Sequence, residues 1–279
     1  VLVVYYSAVN SLWHFPAEVR HRIWSQDPDA TVCATVGSPS PAREAEGGYV
    51  LSGRWSWASG SHHATWAIVS TVVGADGPAP DGGVALVPMS ELSIENTWHM
   101  AGMRGTGSDT VVAEEVFVPA EHVVLMSSLQ SGKPDPQAPT FSLQNVVGSM
   151  PAPVLGMGMT MYDLTVAKLV EGRPLTSGAK LQARAVDAPG GQASIADAAM
   201  LIDGAMLHAA RSARAIDTAT AEGTLMSPLA VARVRMDAGT AARQVRQAVE
   251  TLLDVGGASR FADGDPAQRI HMLLGLHQQ

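Results

Sequence analysis

Cysteine is almost missing: Cys33 is alone among 279 residues, which excludes an internal disulfide and any multi-cysteine zinc site. Lysine is scarce too, at Lys133, Lys168 and Lys180 only. Lys and Arg together number 18 against 26 Asp and Glu, for a formal net charge of −8. Affinity for phosphate backbones rests on a cationic excess, so nucleic acid and anionic membrane surfaces are excluded as general partners. Charged residues are 16% and hydrophobic ones 46%, too apolar a mixture for a disordered chain. No uninterrupted apolar run reaches the ~18 residues of a membrane span. The opening Val1-Leu2-Val3-Val4-Tyr5-Tyr6 lacks the basic start and small-residue cleavage pattern of a signal peptide. A soluble, cytoplasmic protein is expected. The apolar start and the uncapped apolar end read as a covered stretch of a longer chain.

Three textures follow one another. Residues 1–28 read as helix, interrupted near Phe15-Pro16, with Val19, Ile23 and Trp24 on one side. Residues 29–126 read as an all-β domain. Tyr49 to Trp57, Trp66 to Val73, Val84 to Val87 and Thr110 to Val118 are rich in β-branched and aromatic residues, and Gly/Pro/Asp turns separate them. Residues 127–143 form a polar, proline-punctuated linker. Residues 144–279 turn helical. Ser194 with Asp197 reads as a capping box opening a stripe of Ala198, Ile202, Ala205, Ala209, Ala213 and Ile216. Ser227-Pro228 reads as an N-cap with proline at N1, and Gly256-Gly257 as the end of that helix. Its inner face carries Ala238, Ala241, Ala242, Val245, Ala248, Val249 and Leu252. Alanine-lined faces allow close helix approach, which suits a bundle.

Familiar local motifs are few. There is no phosphate loop and no HExxH. Gly102 to Gly107 has glycines in the wrong order for a dinucleotide loop and precedes a strand. His62 and His63, if on a strand, face opposite sides, unlike a metal pair. Cys33 reads as a small buried hydrophobe. Two segments say more. Gly53-Arg54-Trp55-Ser56-Trp57-Ala58-Ser59-Gly60 through Trp66 sets three tryptophans among hydroxyl residues. That is either an aromatic hairpin filling a β core or a wall for a planar heterocycle. Thr97 to Thr110 holds Arg104 among glycines and hydroxyls, a pattern suited to an anion or substrate contact.

These two segments, in this order, resemble the acyl-CoA dehydrogenase superfamily. The pattern is Gly-x-x-x-Trp-x-x-Gly, then Gly102-Met103-Arg104-Gly105 through Ser108-Asp109-Thr110, ahead of a strand ending Val116-Phe117-Val118-Pro119. The resemblance implies an α+β multidomain fold: N-terminal helices, mostly missing here, a central β domain and an incomplete C-terminal four-helix bundle. The early strand carries Thr35-Val36-Gly37-Ser38-Pro39-Ser40-Pro41-Ala42 in place of the dehydrogenases' Thr-Glu-Pro run. Arg104 to Ser108 and Gly53 to Gly60 look more like the two-component flavin-dependent monooxygenases of that superfamily.

In that group a separate reductase supplies reduced FMN or FAD, held between the β domain and the bundle. Oxygen adds at flavin C4a, and the resulting hydroperoxyflavin hydroxylates an aromatic or polyketide-like substrate or N-oxygenates an amine. The resemblance implies flavin contacts from Trp57, Ser59, Gly60, Gly257 and Ser259, with Ser59 near flavin N5. It implies substrate contacts from Trp55, Arg104, Thr106 and Ser108. Strand alternation puts Trp55 and Trp57 on one face. His271 and His277 are the acid–base candidates beside Ser59. A homotetramer is the implied assembly. A flavoenzyme that oxidises acyl thioesters with bound FAD is one alternative, and a non-catalytic scaffold homologue another.

Overall fold

The computed structural model describes residues 2–35, 38–131, 150–171 and 187–275. It forms two compact units, Val1–Phe141 and Ser142–Gln279.

The first unit opens with α1 (Leu2–Ser11), a 3-10 turn and α2 (Ala17–Gln26). Pro16 stands at the N-cap of α2, where its missing N–H costs nothing. Ala8, Leu12, Phe15, Val19 and Ile23 form the buried side of this pair. They pack on Val32, Ile68, Leu86 and Val124 of the sheet.

Eight strands make one sheet: β1 (Val32–Ala34), β2 (Ser40–Ala45), β3 (Gly48–Trp55), β4 (Trp66–Val73), β5 (Asp81–Pro88), β6 (Ser93–Glu95), β7 (Thr110–Pro119) and β8 (Val123–Leu125). Their order is β6-β7-β3-β2-β4-β5-β8, and β1 also pairs with β4. β1 pairs with Trp66–Ile68 and β2 with Thr71–Val73, so two short strands share one edge of β4. The face opposite the helices buries Cys33, Leu51, Trp55, Val69, Val87, Val111 and Val118. Burial pushes the Cys33 thiol up to about 11, so it stays a protonated, inert hydrophobe.

One expectation fails here. β3 ends at Trp55, and Trp57 takes φ 66, so strand alternation does not carry from one tryptophan to the other. Trp55 is 1% exposed, and its indole N–H donates to the Ser70 carbonyl at 2.7 Å. It is a core residue with no face left for a substrate.

α3 (Met126–Ser131) occupies the start of the expected linker, so that stretch is helical where proline and polar residues suggested a loop. The rest of that linker lies outside the described residues.

The second unit has α4 (Pro151–Val170), α5 (Pro189–Ala221), α6 (Pro228–Gly256) and α7 (Pro266–Gly275). Small residues set the spacing. A Cβ on Gly158 of α4 would come within 2.7 Å of Val245 of α6, and one on Gly204 of α5 within 2.8 Å of Gln244. Ala198, Ile202, Ala205, Ala241, Val245, Ala248, Val249 and Leu252 fill the interior. Ser227 Oγ accepts the Ala230 N–H at 3.2 Å, the expected cap. Gly257, at φ 69, ends α6 by donating to the Leu253 and Asp254 carbonyls.

The capping box at Ser194 does not form. α5 begins at Pro189, whose fixed φ suits a first turn, and Ser194 lies inside the helix. The apolar stripe also rotates near its end: Ser212 is buried where Ala213 was expected. Ser212 turns inward because it meets Asp237 of α6, 2% exposed, which also accepts from His208 and Arg211. By length and composition α5 could cross a membrane. Its Asp197, Asp203, Arg211, Arg214 and Asp217, and its packing against α6, identify it instead as a bundle helix.

Candidate active site

Strand register assembles the site. β3 and β7 run antiparallel with Trp55 opposite Val111, so the segment after Trp55 and the segment before Thr110 leave the sheet side by side. The Ala58 N–H donates to the Asp109 carbonyl at 3.1 Å, and the Gly60 N–H to the Thr106 carbonyl at 2.7 Å. Ser61 Oγ reaches the Gly107 carbonyl at 3.2 Å. Loop 56–65 and loop 96–109 are thereby zipped along their length. Gly60 takes φ 83, and a Cβ there would meet the Tyr5 ring at 2.6 Å. Tyr5 of α1 donates its hydroxyl to the Gly60 carbonyl at 2.6 Å. Burial, with the nearby Cys33, raises the Tyr5 phenol above its usual range.

Inside the zipper runs a line of hydroxyls. Ser59 Oγ is 2.7 Å from Ser108 Oγ, Ser108 Oγ is 2.7 Å from Thr106 Oγ1, and Thr106 Oγ1 donates to the Met103 carbonyl at 2.9 Å. Each hydroxyl has one proton, and a carbonyl can only accept. With Thr106 donating to Met103, Ser108 donates to Thr106 and Ser59 to Ser108. The half-buried Ser59 then presents lone pairs outward, as an acceptor.

Asp109 is the electrostatic hub. It is 4% exposed, and its Oδ1 accepts the N–H groups of Thr97 and Trp98 at 2.7 and 2.8 Å. Its Oδ2 lies 2.7 Å from His62 Nε2. Burial opposes ionisation there, yet the His62 bond and the two backbone N–H groups hold this carboxyl below the usual range.

Two strained residues flank the line. Trp57 (φ 66) and Met103 (φ 54) are non-glycine residues in the left-handed region, a cost of about 1–3 kcal/mol each. Trp98 joins them. Its indole N–H donates to the Met103 carbonyl at 3.0 Å, and its ring meets Trp57 edge-to-face at 5.2 Å. Trp57 stays 51% exposed, so an aromatic face is held open at the mouth of the hydroxyl line.

The structure brings together Trp57, Ser59, Gly60, Thr106 and Ser108 among the residues singled out from sequence. Ser108 is 3% exposed and bonded on both sides, so its part is relay rather than substrate contact. Arg104 is exposed, with its Nε donating to the Met100 carbonyl at 2.7 Å. Gly257, Ser259 and His271 belong to the second unit. There Ser259 is exposed, and His271 meets Phe261 edge-on at 6.0 Å. His277 lies outside the described residues. His62 and His63 occupy a 3-10 turn rather than a strand, and no metal-binding cluster forms among the described residues. Sequence reasoning passed over Asp109 and the His62 contact. A His and an Asp 47 residues apart carry no local signal; only the β3–β7 register joins them.

A sheet followed by alanine-lined helices, with a hydroxyl-rich corner where β3 ends and β7 begins, agrees with an acyl-CoA dehydrogenase-like fold. Residues 149–271 match the family described as acyl-CoA dehydrogenase, C-terminal domain. XiaF from Streptomyces sp., solved in complex with FADH2 and glycerol, superposes with TM-score 0.91 at 30% identity, covering 99% of this chain and 70% of that one. The oxygenase subunit HsaA of a flavin-dependent monooxygenase from Rhodococcus jostii is 29% identical over 268 residues, 92% of this chain and 69% of its own. The oxygenase component of an FADH2-dependent resorcinol hydroxylase from Rhizobium sp. is 32% identical over 222 residues, 75% of this chain and 54% of its own. The chain belongs to the oxygenase components of the flavin-dependent monooxygenases, within the acyl-CoA dehydrogenase superfamily. It is an oxidoreductase that works with reduced flavin and O2.

Proposed function

We propose that this protein hydroxylates a phenolic aromatic compound at the corner formed by loops 56–65 and 96–109. The observation that carries the reading is the Ser59–Ser108–Thr106 line beside the open face of Trp57. When bound, reduced flavin supplies the two electrons that let dioxygen give one atom to product and the other to water. The residues present fit such a group. Ser59, its own proton committed to Ser108, offers an acceptor to the N5–H that a reduced flavin carries. Trp57 offers an aromatic face, and Gly60, tied to Thr106 and Tyr5, holds the turn that carries Ser59. In the second unit Ser259 would offer its hydroxyl to a flavin phosphate, and Gly257, whose own N–H caps α6, the tight turn that presents it. Thr106 and the outer guanidinium nitrogens of Arg104 would orient the substrate, Arg104 through an acidic or oxygen-bearing substituent. His271 stays the acid–base candidate of the second unit.

The chain's own part is to bind, orient and exclude water, because a wet site loses oxygen as hydrogen peroxide. The flavin, FMN or FAD, arrives from a separate reductase by diffusion, the enzyme acts in the cytoplasm, and the assembly is a homotetramer. Exposed Met200 and Leu207 on α5 and Leu229 and Met236 on α6 suit burial between subunits. The test is anaerobic titration of the protein with reduced FMN and FAD, followed by phenol turnover with a reductase and NADH. Tight binding of one reduced flavin and a hydroxylated product are expected. Hydrogen peroxide equal to all oxygen consumed would reject the reading.

A further inference from the structure

Acid–base chemistry in this site has an unclaimed pair. Three residues past Ser59, the His62 ring lies across Gly107, where a Cβ would meet His62 Cδ2 at 2.9 Å. From there Nε2 reaches Asp109 Oδ2 at 2.7 Å. Ionised Asp109 can only accept, so His62 directs its Nε2–H at the carboxylate, and the lone pair of the neutral ring falls on Nδ1. Asp109 is fixed in turn by the Thr97 and Trp98 N–H groups. The side chain of His62 is 49% exposed, and Nδ1 has no hydrogen-bond partner among the described residues. A buried carboxylate, an oriented imidazole and one free nitrogen make a general base.

Oxygen transfer to a ring is easier when a ring hydroxyl is ionised, because the oxyanion raises electron density at the carbons ortho and para to it. We propose that His62, oriented by Asp109, removes the hydroxyl proton of the phenolic substrate, an N–H bond forming at Nδ1 as the substrate O–H bond breaks. This rests on the phenol-hydroxylation reading above. The imidazolium that results faces the Asp109 carboxylate, and the pair becomes neutral as the substrate becomes anionic. The other titratable or charged groups on the surrounding segments are His63, His99 and Arg104, all exposed, and Tyr5, whose hydroxyl is committed to the Gly60 carbonyl.

His62→Gln separates a base from a brace, because the glutamine amide still donates to Asp109 but has no basic nitrogen. The assay compares phenol, neutral at neutral pH, with a tetrafluorophenol that is already ionised there. Relative to wild type, H62Q is expected to lose about 100-fold in turnover of phenol and less than about threefold with the ionised compound, the signature of a bypassed base. His63→Gln is expected to match wild type with both. If H62Q does not fold, the wild-type pH profiles decide: phenol turnover falls on the acid side, and turnover of the ionised compound shows no such limb. Equal losses with both compounds, no loss, or identical pH limbs would overturn the assignment of His62 as base. Wild-type enzyme that hydroxylates neither compound removes the phenol reading itself, a result that cannot be confused with the others.

Discussion

Ser59 Oγ and Ser108 Oγ lie 2.7 Å apart across 49 residues of sequence, and that bond fixes which way the hydroxyl protons of the site point. Ser108→Ala removes the acceptor for the Ser59 proton, so Ser59 no longer presents a pure acceptor. We expect reduced-flavin affinity to fall about tenfold, the equivalent of one hydrogen bond, and stability to fall by about 1 kcal/mol. Anaerobic titration and urea unfolding read the two quantities. Unchanged affinity would detach the hydroxyl line from flavin binding.

Trp57 is strained and half exposed, so function and stability should separate there. Trp57→Gly relieves a left-handed tryptophan, a gain of about 1–3 kcal/mol. It loses an edge-to-face contact with Trp98 worth about 0.5–1.5 kcal/mol, and adds chain entropy to the unfolded state. These terms nearly cancel, so the melting temperature should hardly move. Affinity for reduced flavin should drop by up to about tenfold, the value of a lost stacking face. A large fall in melting temperature would mean that Trp57 is a packing residue instead.

Gly60 has no room for a side chain. At φ 83, with Tyr5 atoms 2.6 Å from where a Cβ would lie, Gly60→Ala must distort the loop or expel Tyr5. A loss of about 1–3 kcal/mol is expected from strain and overpacking. Combining it with Tyr5→Ala should restore part of that loss, a coupling measurable in a double-mutant cycle. Strictly additive losses would show that Tyr5 is not the obstacle.

Asp237 predicts the acid behaviour of the helical unit. Its bond from Arg211, reinforced by His208 and Ser212 and opposed by burial, lowers its carboxyl from 3.8 to about 2. A depressed folded-state value stabilises above the unfolded one and is lost as pH falls through the folded one. The contribution, on the order of 2 kcal/mol, is therefore present above about pH 4 and falls away as the pH drops through about 2. Urea unfolding of wild type should show this slope, and Asp237→Asn should flatten it. Parallel pH curves for the two proteins would refute the assignment.

Legibility in the sequence followed local chemistry. β4 was readable to the residue because Trp66–Val73 is rich in β-branched residues, opens on a tryptophan and lies between turns. The ends of α6 were readable because Ser227-Pro228 and Gly256-Gly257 do their work within one turn. β2 was not, since Ser40–Ala45 carries a proline and two charges yet lies between β3 and β4. β6, three residues long and carrying Glu95, was hidden for a similar reason; the Glu95 carboxylate pairs with Arg54. At the site, Ser59, Thr106 and Ser108 could be named from motif order. Their proton direction could not, because it depends on the Met103 carbonyl and a backbone at positive φ. Trp55 misled because alternation was carried two residues past the end of its strand, to Trp57. His62 and Asp109 stayed invisible because a dyad made by strand register leaves no pattern along the chain.

The central claim is that this corner delivers one oxygen atom from dioxygen to a phenolic ring. The most direct measurement supplies the protein with reduced flavin, a phenol and isotopically labelled dioxygen, and weighs the product by mass spectrometry. The account predicts a hydroxylated product with one labelled oxygen, in yield well above the hydrogen peroxide released, and a reversal of that ratio in Ser59→Ala. Unlabelled product, or labelled peroxide alone from the wild-type protein, would contradict it.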